Sequence, residues 1–183
     1  MTKYFREISD PVEEVVTDGK FNFGTRSEPI RNVNLIDADK PFRTPLVNSF
    51  KYYRLKEWQA FQFGNDDYFM MVAVYNAKVM ALAQFILYDI KKDKKFHYER
   101  KVAPWNIEVA QSLYGTKSTY FTDDFSILVE NDIESGKIGV DIRIDRQSKE
   151  LPAVMGQFMG FHDKDKVNPL VTIMPFGQNC GMY

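Results

Sequence analysis

Between residues 51 and 102 the chain passes through four apolar or alternating stretches separated by only a few polar residues, and that spacing restricts the fold more than any other feature. Residues 51–63 alternate over part of their length, which sets Trp58 in the opposite direction from Phe61 and Phe63. Asn65-Asp66-Asp67 reads as a turn, because these side chains bond their own backbone and tolerate unusual dihedrals. Residues 68–75 form an apolar run with β character, and Asn76-Ala77-Lys78 turns again. Residues 79–90 read as a long strand, 91–95 as a turn and 96–102 as a further strand. Parallel strands need crossovers of about a dozen residues or more. No connection here is that long, so an antiparallel meander is expected.

The same logic extends to both sides. Residues 14–17 and 20–23 flank Asp18-Gly19, a pair suited to the positive φ values of a type I′ hairpin turn. Residues 32–37 are expected to be a short strand, apolar at Val33 and Leu35. Residues 103–115 suggest a short helix, with Pro104 at its first position, Gly115 past its end, and Ile107, Ala110 and Leu113 on one face. Residues 125–130 read as a strand, followed by 137–146 with a clean period of two. There Ile138, Val140, Ile142 and Ile144 point one way, and Lys137, Asp141, Arg143 and Asp145 the other. Such a strand has one face on a core. Residues 151–161 are a further strand, in which Gly156 and Gly160 suggest a bend or bulge. Residues 170–174 are a last one. The expected fold is therefore mainly β: an antiparallel meander forming a curled sheet or a barrel lobe, with at most one short helix. No repeat or linker is evident, so residues 1–183 read as a single β-rich domain, with 1–11 as a loosely held arm.

Composition removes several function classes. Lysine plus arginine total 24 against 25 acidic residues, a net charge of −1. A nucleic-acid partner needs a basic excess to neutralise phosphates, so none is expected. The short runs Lys91-Lys92-Asp93-Lys94-Lys95 and Lys164-Asp165-Lys166 read as solvated turns. Cys180 is the one cysteine and cannot form an internal disulfide. No signal-peptide pattern opens the chain and no apolar run matches a membrane helix, so a cytoplasmic address is expected. Phosphate-binding glycine loops, nucleophile elbows, paired Cys-x-x-Cys and His-Glu-x-x-His are all missing from the sequence. No cofactor is expected.

Candidate sites are few. Tyr53, Arg54, Lys56, Glu57 and Trp58 fall on one expected strand and combine an aromatic wall with charged anchors, as ligand pockets do. The plainer reading packs Trp58 in the core and leaves Arg54 and Lys56 in solvent. His97 and Glu99 share strand parity but lack a third metal ligand at a recognisable spacing, so no metal site is expected. His162, beside Asp163 and Asp165, is a further ligand-binding candidate on equally thin grounds. Asp123-Asp124 near Tyr120 could supply a proton if a carboxyl were raised by an apolar pocket, although a polar turn explains the pair more simply. Met70, Met71, Met80, Met155 and Met159 suit either an adaptable pocket or ordinary core filling. Cys180 has no evident base.

Three stretches carry a family resemblance: Gly24-Thr25-Arg26, the run from Pro29 to Leu35, and the run from Arg54 to Phe61. The ending, Met174-Pro175-Phe176-Gly177-Gln178-Asn179 through Met182-Tyr183, adds a fourth. Together they resemble a bacterial family known as domain of unknown function 2804 (DUF2804). Its members are longer as a rule, which implies that this chain is an N-terminal portion with an open sheet edge, through which it would self-associate. The family's distant kinship with lipocalin-like proteins (calycins) such as hydroxyneurosporene synthase implies two curled antiparallel lobes and an apolar ligand. No hydratase motif accompanies it. The resulting expectation is a lipocalin-like module that binds an apolar or amphipathic small molecule. The alternatives are a hydratase- or isomerase-type enzyme acting on an unsaturated apolar substrate, and a structural or interaction protein with no pocket.

Overall fold

The computed structural model describes residues 7–40, 45, 47–163, 165–167, 169–175, 181 and 182. The expected first hairpin is present. Asp18 and Gly19 take φ values of 49° and 73° and join β1 (Val16–Thr17) to β2 (Lys20–Phe21). Glycine is needed twice over at position 19, because a Cβ there would lie 2.3 Å from the carboxyl carbon of Asp39. β3 (Gly24–Arg26) follows. Residues 1–6 of the expected arm lie outside the described residues, and the described part is tied down: Ser9 N–H donates to Thr25 O at 2.8 Å, and Arg26 Nε donates to Asp10 O at 2.9 Å.

Residues 32–37 are not a strand. Asn32 makes a single bridge to Glu14, and Leu35–Asp37 is a 3-10 turn. The Asn34 side chain explains this. Its amide accepts from Val16 N–H and donates to Val16 O, both at 2.9 Å, and also donates to Asp37 at 3.0 Å. A side chain thus satisfies backbone groups that a strand would have paired.

The strand expected over residues 51–63 begins late. Its first part is instead the helix α1 (Asn48–Arg54). Winding the segment carries Lys51 inward, where its ammonium donates to Ile36 O at 3.0 Å and Ala38 O at 2.7 Å. β4 (Glu57–Gly64), β5 (Tyr68–Asn76), β6 (Ala81–Asp89) and β7 (Lys94–Val102) then form the expected meander.

The helix expected over residues 103–115 is not formed. Pro104–Asn106 is a 3-10 turn, and β8 (Ile107–Glu108) pairs with β9 (Thr116–Phe121). Strand pairing buries both Ile107 and Val109, and it gives Ala110 N–H the Ser118 hydroxyl as acceptor at 2.9 Å. An isolated helix this short has little stability to set against that. β10 (Phe125–Asp132), β11 (Lys137–Ile144) and β12 (Val154–Phe161) complete the run, followed by β13 (Val171–Pro175) and β14 (Gly181–Met182). β12 keeps one-to-one register with β11 from Val154 to Phe161, so Gly156 and Gly160 make no bulge.

The described residues divide into two compact units. One comprises Met1–Leu55, Gln111–Tyr114 and His162–Tyr183, within which β3 pairs antiparallel with β13. Its core is Val15, Val16, Ile30, Ala38, Val171 and Ile173. The other unit comprises Lys56–Ala110 and Gly115–Phe161. It holds a four-stranded sheet, β4-β5-β6-β7, and a five-stranded sheet, β12-β11-β10-β9-β8. The inward side chains of both sheets join in one cluster, with Val72, Val74, Ile127 and Val129 fully buried. Burial of each such aliphatic side chain stabilises by about 1.5–3 kcal/mol. Both sheets are antiparallel and open; neither closes into a barrel.

Candidate functional site

In an antiparallel sheet packed on one core, alternate residues turn away from it and are ordinarily polar. The outward face of β4 to β7 breaks that rule. Register sets Trp58, Tyr75, Leu82 and Lys101 in one cross-strand row. The next row is Ala60, Ala73, Gln84 and Glu99, and the one after it Gln62, Met71, Ile86 and His97. A last row holds Gly64, Phe69, Tyr88 and Lys95. Trp58 is 53% exposed and Phe69 41%. Tyr75, Leu82, Met71 and Ile86 are half-buried, and none of them belongs to the unit's core.

Side-chain size gives this face relief. Rows on one side of a sheet are about 7 Å apart. Ala60 and Ala73 therefore make a low strip between a ridge of Trp58, Tyr75 and Leu82 and a ridge of Gln62, Met71 and Ile86. The strip runs across the strands and ends on polar groups. Gln84 Nε2 lies 2.6 Å from His97 Nε2. Glu99 lies 3.7 Å from His97 and 3.4 Å from the Lys101 ammonium. An apolar strip with a cluster of donors and an acceptor at one end has the polarity of an amphipathic molecule.

The six candidate residues are divided between the two units. Tyr53 and Arg54 sit on α1, not on a strand, and Tyr53 is 60% exposed. They and half-buried His162 belong to the first unit; Lys56, Glu57 and Trp58 belong to the second. Glu57 turns away from the outward face and pairs with the Lys78 ammonium. Of the three in the second unit, Trp58 alone stands on the face described above. Its direction, opposite to Phe61 and Phe63, is the expected one: both phenylalanines pack against the core, so a core position for Trp58 is ruled out.

The other members of the face were legible in principle. In β5 and β6 both parities are apolar, with Val72 and Val74 buried on one side and Met71 and Tyr75 on the other. A strand apolar on both sides has something to cover on both. Asp124, the other proton-donor candidate, is tied into its own turn. The Asp124 carboxylate accepts from the Thr122 hydroxyl at 2.9 Å and from Arg100 at 2.6 Å. The Thr122 bond first, and then Arg100, hold it below the usual carboxylate range, so it stays ionised and is unsuited to proton donation. Among the described residues, no group of three or more His, Cys, Asp or Glu could hold a metal ion. Likewise no described helix is long and apolar enough to cross a membrane. Cys180 lies outside the described residues.

A family profile described as "Domain of unknown function (DUF2804)" matches residues 5–183. The chain belongs to the DUF2804 family. No curated protein and no solved structure matches it. Membership of DUF2804 carries no chemistry with it, because a fold or family does not by itself imply a function.

Proposed function

We propose that this DUF2804 chain is a binding module for an amphipathic small molecule, held on the outward face of the four-stranded sheet. The observation that carries the reading is the Ala60–Ala73 strip, bounded by Trp58, Tyr75 and Met71 and ending at Gln84, His97, Glu99 and Lys101. The apolar body would lie along the strip against the indole of Trp58. Its polar end would exchange hydrogen bonds with the Gln84 and His97 side chains and reach the Lys101 ammonium. Solvent-facing aromatic and aliphatic surface of this kind marks a place where something binds.

Trp58 supplies the reporter. With Trp105→Phe removing the second tryptophan, a long-chain alkyl carboxylate is titrated while indole emission is followed. Saturable change in that emission is expected. Ala73→Glu puts a charge in the floor of the strip without touching the core and should weaken binding by at least about tenfold, one desolvated charge being costly. Unsaturable emission, or equal affinity in Ala73→Glu, would sink the reading. Retention of a protein on this face in place of the carboxylate would turn it into an interaction surface.

A further inference from the structure

The five-stranded sheet ends on two unlike edges. β8 is two residues long, whereas β12 runs for eight and pairs, among the described residues, only with β11. Exposed sheet edges are usually blunted by brevity, lysine, proline or a bulge. β8 is short. β7, at the edge of the other sheet, carries Lys94, Lys95, Arg100 and Lys101, and β4 opens with Glu57 after Lys56. β12 has none of these devices. From Leu151 to Phe161 the sequence holds no charged residue, and the strand itself has neither proline nor bulge. Met155, Met159 and Phe161 are 85%, 67% and 69% exposed.

We infer that β12 is the pairing edge of a symmetric dimer, with a second copy of this chain as its occupant. A two-fold axis perpendicular to the sheet sets β12 antiparallel to its copy and continues the sheet across the junction. Inward residues must then oppose inward residues, so registers step by two. With Gln157 opposite Gln157 of the copy, Phe158, the largest inward residue of the strand, is set opposite a glycine. Phe158 faces Gly156, Val154 faces Gly160, and Met155 meets Met159. Gly156 has open space where a side chain would stand, which leaves room for the exposed flank of the copy's Phe158. Moving the axis to Phe158 opposes two phenyl rings and sets Gly156 against Gly160, which wastes that room. The Gln157-centred register therefore uses the open space at Gly156, which the Phe158-centred one does not. A net charge of −1 leaves little repulsion between copies.

Sedimentation velocity on the whole chain is expected to show concentration-dependent dimers. Met155→Glu with Met159→Glu places like charges opposite one another and should weaken dimerisation by about a hundredfold. Met155→Lys with Met159→Lys should do the same, and an equimolar mixture of the two variants should restore a dimer. In a Cys180→Ser background, Gln157→Cys should cross-link with its copy on oxidation. Met155→Cys should do so only when mixed with Met159→Cys. Circular dichroism confirms that each variant is folded, as these side chains lie outside the core. A wild-type chain that stays monomeric to its solubility limit overturns the inference. So does a dimer that survives both charged pairs, or one in which Gln157→Cys stays uncrosslinked. The outward face of β4 to β7 plays no part in these readouts, so the two proposals fail separately.

Discussion

Ser118 is fully buried, and it is polar in an otherwise apolar cluster. Its hydroxyl donates to Gln59 Oε1 at 2.6 Å and accepts from Ala110 N–H at 2.9 Å. One oxygen therefore ties β9 to β4 and closes the segment after β8. Removing it leaves a carbonyl and an N–H without their partner, and an unpaired buried polar group costs about 1–3 kcal/mol. Ser118→Ala should lower the urea midpoint by a corresponding amount, although the serine is small and its loss opens little space. An unchanged midpoint would mean that water replaces the hydroxyl. Tyr98 is handled in the same way: its ring is buried in the cluster and its hydroxyl donates to Pro152 O at 3.0 Å.

At the scale of elements, the turn between β6 and β7 shows how a hairpin is fixed by charge. Asp89, buried at the end of β6, accepts from Lys92 N–H at 3.0 Å and from its ammonium at 2.9 Å. The side-chain bond to Lys92 is the main cause holding Asp89 below the usual carboxylate range. Because the folded state binds that proton more weakly than the unfolded chain, the contribution is present above the ordinary aspartate value of about 4. It is lost as pH falls below that value. Urea midpoints measured from neutral pH downwards should therefore decline on the acid side, more gently in Asp89→Asn, which should also be less stable at neutral pH. Parallel curves for the two proteins would remove Asp89 from the account. The position of Asp93, at a φ of 48°, fits the same tight turn.

Across the whole molecule, the two compact units rest on cores of different extent. The first gathers Val15, Val16, Ile30, Ala38, Val171 and Ile173, and its sheets are short. The second joins two sheets of long strands on a cluster that runs from Val72 to Ile144. Local opening tracks the apolar contact that resists it. Hydrogen exchange followed by mass spectrometry should thus release the amides around Val15, Ile30 and Ile173 before those around Val72 and Ile127. Equal protection in the two sets would show a single cooperative block.

What the residues settle locally, they settle without help. Asp18-Gly19 supplies the φ values its turn demands, the short polar breaks between residues 64 and 94 force antiparallel neighbours, and alternation along 138–144 names the inward side chains correctly. DUF2804 membership was legible in the same way, from motifs that name no chemistry. Pairing with distant chain was not. Lys51 belongs to a helix because the carbonyls of Ile36 and Ala38 receive its ammonium, and residues 107–108 are a strand because β9 offers a partner and a core. β3 meets β13 although most of the chain lies between them. The candidate site shares that dependence. Trp58 could be seen pointing away from Phe61, but only the register of four strands sets it beside Tyr75 and Leu82 and lays Ala60 next to Ala73. A residue's own sequence neighbours fix its direction; what stands opposite it depends on hydrogen bonds to strands that local pattern does not specify.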